Sequence, residues 1–142
     1  MKHRLLKLRI KKNEGFSFKP YKDQLGNYTI GYGHLIKKNE KKFFTKKFNR
    51  GFFEDLFEKD FAKAVDDFTY KYKQHKLPKV VEGLIIEMIF QIGIKNVRKF
   101  KKMKKRLNNQ QKYLVCLEMM DSLWYKQTPK RVENLIKNYL GA

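Results

Sequence analysis

The sequence predicts an α+β protein that is predominantly helical, with one small β-sheet near its N-terminus. Apolar and polar side chains alternate over residues 16–19 and 28–32, which is the period of a strand, and a turn signal separates the two runs. From residue 52 onward, apolar side chains recur every three to four positions, which is the period of a helix. The 142 residues fit one domain with room for two lobes.

The first predicted element is a short basic helix over residues 3–13, which carries apolar side chains over a broad arc. Gly15 is a natural helix stop because it tolerates the left-handed backbone that ends many helices. Glu14 therefore falls on the last turn of the helix, at the edge of the segment that follows.

The pattern of the next segment, residues 16–32, predicts a hairpin or meander. Phe16 and Phe18 alternate with polar residues, and residues 28–32 repeat the alternation. The turn signal Gln24-Leu25-Gly26-Asn27 lies between the two runs, which puts Asp23 near the turn.

Residues 37–51 form a lysine-rich connector that we expect Phe43, Phe44 and Phe48 to anchor. A long helix over residues 52–72 follows, with Asn49 as a possible N-cap.

The C-terminal half predicts further helices. The nearly continuous apolar run at 80–93 is too short to span a bilayer, so it indicates a buried central helix. Helices at about 96–107 and 109–123 follow, and Thr128-Pro129 is a start signal for the last helix, with the threonine as N-cap.

The net charge of +20 comes from 34 basic and 14 acidic residues, and lysine makes up most of the basic ones. A lysine-dominated surface favours diffuse attraction to polyanions over specific base readout. Compositional drift of the coding sequence explains the same charge equally well.

The single cysteine, Cys116, excludes an internal disulfide, and its apolar neighbours predict a buried thiol. The N-terminal run MKHRLLKLRIKK is basic but lacks an unbroken apolar stretch, so it does not predict a signal peptide. These features favour a reducing compartment.

Two carboxylates nine positions apart, Glu14 and Asp23, carry the chemistry that the sequence suggests. Apolar neighbours of Glu14 should raise its pKa, whereas Asp23 beside a polar turn should stay charged. Two acids whose environments separate their pKa values suit acid and base roles, as glycoside hydrolysis requires. The hydroxyl of Thr29, six positions after Asp23, is able to fix a water molecule.

The run from Glu14-Gly15 through Tyr21-Lys22-Asp23 to TIGYGH at 29–34 resembles the active-site segment of the T-even-type bacteriophage lysozymes, glycoside hydrolase family twenty-four. Its offsets of nine and six are those of the family. Three further stretches are similar to family motifs: LFEKD at 56–60, MIFQIG at 88–93 and WYKQTPKR at 124–131.

The resemblance implies a two-lobe lysozyme-like fold with a cleft between the lobes. A small β-sheet lobe would span about 14–60, and a helical lobe would comprise about 1–13 and 61–142, with a long connecting helix. It also implies a muramidase, an endolysin that cleaves the β-1,4 bond between N-acetylmuramic acid and N-acetylglucosamine with inversion and so lyses bacteria.

The resemblance assigns roles to residues by position. Glu14 takes the role of general acid, Asp23 positions the attacking water, and Thr29 helps to hold that water. Substrate contacts fall on Leu35, Phe90 and Gln91.

Three further residues are expected to support the active site. Arg131 matches the family's active-site arginine, whose side chain lies near the acid. His34 is expected to pair with Asp60, which would raise the histidine pKa. Glu87 stands where we expect a neutral polar residue near the cleft.

The expected partners follow from the same reading. Peptidoglycan strands are the substrate, and the lysine runs at 37–47 and 99–106 would draw the protein to an anionic cell envelope. A holin would release it from the cytoplasm, and we expect a monomer. No cofactor is implied, and His3, His34, His75 and Cys116 lack the spacing of metal ligands.

Two alternatives to an enzyme stay open at this point. The charge and the aromatic content suit a binding module for single-stranded nucleic acid, although no named nucleic-acid motif is present and no specific nucleic acid is expected. The other alternative is a non-catalytic cationic protein that binds the cell wall on a lysozyme fold.

Overall fold

The computed structural model describes residues 3–72 and 76–141. His75, one of the three histidines, lies outside these residues. Within them the chain is mainly helical and has one small sheet, so the predicted α+β class is confirmed. No helix in the described ranges is long and apolar enough to cross a membrane.

The chain divides into two compact units, Met1–Val65 and Asp66–Ala142. The predicted lobes differ from these units in two respects. The first helix falls in the first unit rather than in the helical lobe, and the first unit ends at Val65 rather than at about residue 60. The division into lobes stays a prediction.

The first unit begins with α1, Arg4–Glu14, which buries Leu6 and Ile10. The buried face of α1 is narrower than the apolar arc that the sequence predicts, because Leu5 and Leu8 are exposed. Gly15 ends the helix with a φ of 72°, as predicted.

Three antiparallel strands follow in the order β1-β2-β3: Ser17–Lys22, Tyr28–Gly31 and His34–Leu35. Tyr21 lies opposite Thr29 in the first ladder, and Thr29 lies opposite Leu35 in the second. The third strand was not predicted individually, since it is only two residues long.

The connector contains a short helix, α2, Lys42–Thr45. Phe43 is buried with Ile30 and Phe53 in the core of this unit, and Phe48 packs against them. Phe44 lies outside this core and is exposed, because neighbouring residues of so short a helix cannot both face the core. Its ring contacts the connector's neighbour β2 only at the surface, edge-on against Tyr28 with ring centroids 5.3 Å apart.

Helix α3 spans Arg50–Tyr72 and continues from the first unit into the second. Asn49 caps it as predicted, since its Oδ1 accepts a hydrogen bond from the Phe52 N–H at 2.8 Å.

The second unit holds the remaining helices that the structure describes: α4 Lys79–Ile92, α5 Ile94–Val97, α6 Lys101–Asn108, α7 Lys112–Met120, α8 Leu123–Gln127 and α9 Pro129–Gly141. Helix α4 is the buried helix that the apolar run predicts. Val81 and all six residues from 84 to 89 are buried.

The predicted helices at 96–107 and 109–123 have wrong bounds. The first is interrupted after Val97, and the second starts later because Gln110 has a left-handed backbone with φ 56°. Ser122 then begins α8 by accepting a hydrogen bond from the Tyr125 N–H at 3.0 Å, which separates α8 from α7.

Candidate active site

Glu14 occupies the last position of α1 and is half-buried. The Gly15 N–H donates to the Lys11 carbonyl at 3.0 Å, so the helix ends there and the chain turns into β1. This local geometry gives the carboxyl group the position that the sequence predicts.

Gly33 lies directly against the carboxyl group of Glu14. A Cβ atom built on Gly33 would lie 1.8 Å from Oε2 and 2.7 Å from Cδ of Glu14. The φ of Gly33 is +77°, in the region that favours glycine. Only glycine therefore allows the turn between β2 and β3 to approach the carboxyl group so closely.

Asp23 is held by the backbone of the hairpin turn. Its Oδ1 accepts hydrogen bonds from the N–H groups of Leu25 and Asn27, each at 2.9 Å. Its own N–H donates to the Asn27 carbonyl at 2.9 Å, which continues the ladder one step beyond the strands. Its Oδ2 accepts no hydrogen bond from any residue that the structure describes.

Thr29 is buried in β2. Tyr21 is directly opposite Thr29 in the first ladder, so these two side chains point to one side of the sheet. The Thr29 hydroxyl donates to the Asn27 carbonyl at 3.1 Å. Because its hydrogen is used, the oxygen is left to act as an acceptor.

Tyr21 is a candidate that sequence reasoning missed. Burial raises the pKa of its hydroxyl, and the negative charges of Glu14 and Asp23 raise it further. Both carboxylates therefore act on one phenol, which stays protonated and able to donate a hydrogen bond. Pairing the two predicted strands across the turn would have put Tyr21 opposite Thr29 and so identified it.

His34 is buried between two carboxylates. Its Nδ1 lies 2.7 Å from Oδ2 of Asp60, the contact that the resemblance implies, and its Nε2 lies 3.1 Å from Oε1 of Glu40. Burial lowers the pKa of His34, but the hydrogen bonds and charges of Asp60 and Glu40 outweigh it, so the pKa is raised. The supporting role of this pair in catalysis stays a prediction.

Glu40 was missed because it lies in the lysine-rich connector, where a charge is normally solvated. Its Oε1 also accepts a hydrogen bond from the Lys37 N–H at 2.9 Å. Burial raises the pKa of Glu40, while this N–H and His34 lower it by more. The cluster thus ties the connector to β3 and α3.

In the second unit, Arg131 pairs with Glu87. Its Nη2 lies 3.5 Å from Oε2 of a glutamate side chain that is fully buried on α4. Glu87 was expected near the cleft, and the structure shows it as the buried partner of Arg131. The predicted place of Arg131 beside the acid stays a prediction.

The predicted sugar contacts belong to both units. Leu35 is exposed at the end of β3, while Phe90 and Gln91 lie half-buried near the end of α4. The Nε2 of Gln91 donates to the Thr128 hydroxyl at 3.5 Å, and that hydroxyl donates to the Trp124 carbonyl at 3.0 Å. Gln91 Oε1 is buried and accepts no hydrogen bond in the described part of the chain.

No group of three or more histidine, cysteine, aspartate or glutamate side chains among the described residues is arranged to hold a metal ion. Cys116 is buried, as predicted, and burial raises the pKa of its thiol.

The family model for phage lysozyme matches residues 11–138, which include every element of the candidate site. The chain belongs to the phage lysozyme family. The predicted resemblance is thereby confirmed, and the small sheet followed by a helical majority is the α+β fold of that family.

Two curated relatives of this lysozyme come from Dictyostelium discoideum. "Probable T4-type lysozyme 2" is 34% identical over 154 aligned positions, which cover 92% of this chain and 91% of the relative. "Probable T4-type lysozyme 1" is 31% identical over 150 positions, covering 89% and 88%. The chain is accordingly a lysozyme, a glycosidase of the muramidase type that hydrolyses peptidoglycan.

Proposed function

We propose that this lysozyme cleaves the β-1,4 bond between N-acetylmuramic acid and N-acetylglucosamine by a single displacement with inversion. The observation that supports the proposal is that Glu14 and Asp23 both act electrostatically on the Tyr21 hydroxyl, whose pKa burial and these two charges raise. A pair of carboxyl groups is the minimum that glycoside hydrolysis needs.

Glu14 acts as the general acid. Its proton goes to the glycosidic oxygen as the bond from that oxygen to the anomeric carbon breaks, and the carboxyl group is left as a carboxylate. The close approach of Gly33 restricts where this carboxyl group is able to lie.

Asp23 and Thr29 orient the water that attacks the anomeric carbon. Oδ1 of Asp23 is used by two backbone N–H groups, so Oδ2 is the oxygen available to a water. The Thr29 oxygen accepts a second hydrogen from the same water because its own hydrogen is used. A water that donates both hydrogens directs a lone pair to the carbon, and the proton it loses passes to Asp23.

An inverting enzyme needs room for this water, with its two carboxyl groups roughly 6.5–9.5 Å apart. Asp23 then forms no bond to the sugar. The stereochemistry is tested by proton NMR of the first product: the α-anomer supports single displacement, and the β-anomer excludes it.

The primary experiment measures the release of reducing ends from purified peptidoglycan by the wild type and by Glu14→Gln. Purified wall contains no membrane, so the charge of the protein cannot produce the signal. Glu58→Gln is the matched control, since it removes the same charge at an exposed site. We expect cleavage by the wild type and the control and none by Glu14→Gln.

Cleavage by Glu14→Gln at the wild-type rate would overturn the role of Glu14. If no form cuts while all bind, the chain is a cationic wall-binding protein on a lysozyme fold, and the proposal fails.

We also propose a bacteriolytic role, for which the muramidase activity of the family is the support. Accumulation in the host cytoplasm, with release by a holin, stays a prediction. Expression in bacteria tests it: lysis without any membrane-permeabilising partner would contradict it.

A further inference from the structure

Helix α7 carries two sets of apolar side chains, of which only one is covered. Val115, Cys116 and Met119 face inward and are buried. On the other side Tyr113, Leu117 and Met120 recur at intervals of four and three, so they form one stripe. A surface helix normally turns polar side chains to solvent, so an apolar stripe on its exposed side is unusual.

The stripe is strongly exposed. The exposed fractions are 76% for Tyr113, 56% for Leu117 and 42% for Met120. Leu123, at the start of α8, is a further apolar side chain and is 68% exposed. Single exposed apolar residues are ordinary on a protein surface, but a contiguous stripe marks a contact surface.

A cationic helix borders this stripe. Helix α6 packs on α7. Five of the six residues from 101 to 106 are cationic, and Met103 is the exception. A cavity of about 270 Å³ at their junction is lined by Lys102, Lys105, Arg106 and Glu118. Glu118 belongs to α7, so the cavity lies between α6 and the helix that carries the stripe. Its three cations and one carboxylate leave an excess of positive charge.

We propose that this surface binds an anionic lipid membrane, lying in the plane of the headgroups. We call it the α6/α7 surface and define it by six residues: Lys102, Lys105, Arg106, Tyr113, Leu117 and Leu123. The cations contact lipid phosphates, one of which fits the cavity, and the stripe enters the boundary between headgroups and acyl chains.

Charge and shape select lipid over other occupants. A second copy of the chain would bring two cationic α6 helices together, against a net charge of +20 per copy. A soluble polyanion would neutralise the cations but leave the stripe in water. An anionic membrane neutralises the cations with its lipid phosphates and removes the apolar stripe from water. The proposal does not depend on the mechanism of cleavage, since none of the six residues takes part in it.

The experiment measures flotation of the full chain with phosphatidylcholine vesicles, with and without one-third phosphatidylglycerol, at near-physiological salt. Two double variants test the surface: Leu117→Gln with Leu123→Gln, and Lys102→Glu with Lys105→Glu. We expect each to weaken binding to the anionic vesicles about tenfold or more.

Each variant has a matched control elsewhere in the chain. Leu5→Gln with Leu8→Gln replaces two exposed leucines of α1, and Lys12→Glu with Lys59→Glu reverses two exposed charges that lie outside both lysine runs. We expect both controls to bind within about twofold of the wild type. Circular dichroism and thermal melting verify that every variant is folded. The controls should fold normally because all their substituted residues are exposed.

Several results would overturn the proposal. Absence of binding by the wild type excludes the site, and equal binding to neutral vesicles excludes the anionic headgroup. Equal loss in the charge variant and its control assigns the attraction to net charge alone. A wild-type dimer that Leu117→Gln with Leu123→Gln dissociates, without vesicle binding, makes the stripe a self-association surface instead.

Discussion

Gly33 and Glu14 approach so closely that a single added carbon on the glycine would lie 1.8 Å from the Oε2 atom of the glutamate. Replacement by alanine must therefore move the carboxyl group or the turn that carries Gly33. In this arrangement the glycine is part of what positions the proposed acid.

Gly33→Ala is expected to reduce peptidoglycan cleavage by at least about tenfold, because a misplaced catalytic group loses rate steeply. It also introduces alanine at a positive φ, which costs on the order of 1–2 kcal/mol in unfolding free energy. Gly26→Ala is the control, since its φ of +83° gives similar strain while nothing lies within 4 Å of the new Cβ. We expect the control to lose stability in urea but to keep its activity.

Asp23→Asn separates the catalytic role of this side chain from its role in the turn. Asparagine retains an oxygen that is able to accept from Leu25 and Asn27, so we expect the unfolding free energy to change by less than about 1 kcal/mol. Asp23→Ala removes both hydrogen bonds and should cost roughly 1–3 kcal/mol. Both variants should lose cleavage of purified wall. Full activity in Asp23→Asn would mean that the charge is not required.

The stabilisation by His34 should fall as pH rises. Its pKa is raised above the ordinary 6.5 in the folded state, so its contribution is fully present below 6.5 and is lost as pH passes the folded pKa. Glu40 has a lowered pKa, so its contribution is present above the ordinary 4.5 and is lost as pH falls through the folded pKa. The cluster is therefore most stabilising between pH 4.5 and 6.5.

A double-mutant cycle with His34→Asn and Asp60→Asn measures this coupling by urea unfolding. Near pH 5.5 we expect a coupling free energy of about 1.5–3 kcal/mol, as for a hydrogen bond to a charged group. Well above the folded pKa of His34 we expect a coupling free energy of roughly 0.5–1.5 kcal/mol, as for a neutral hydrogen bond. A coupling that does not change with pH would show that the charge on His34 contributes nothing.

Glu87→Gln should destabilise the protein although it is nearly isosteric. The Glu87 side chain is fully buried and pairs with Arg131, so the substitution removes a buried charge opposite a guanidinium. We expect a loss of about 2–4 kcal/mol in chemical unfolding. Asp66→Asn changes the net charge equally at an exposed position of α3 and should be nearly neutral. Equal effects of the two substitutions would mean that the pair does not stabilise this unit.

Part of the fold and site was predictable because it depends on near neighbours in the chain. The hairpin around Asp23, the end of α1 at Gly15 and the cap of α3 by Asn49 are each set by contacts within a few residues. The burial of α4 follows equally from its own side chains. Helix bounds between 94 and 127 were less predictable, because a single left-handed residue such as Gln110 interrupts an otherwise helical pattern.

The sequence by itself determined the class of fold, the family and the identity of the candidate acid, base and hydroxyl. Only the tertiary structure decided that Gly33 adjoins Glu14, that Glu40 joins His34 and that Glu87 is buried against Arg131. These relationships join residues separated in the chain, and the sequence alone does not show which distant groups packing brings together. The same reason explains the exposed stripe of α7, since whether an apolar face is covered depends on what packs beside it.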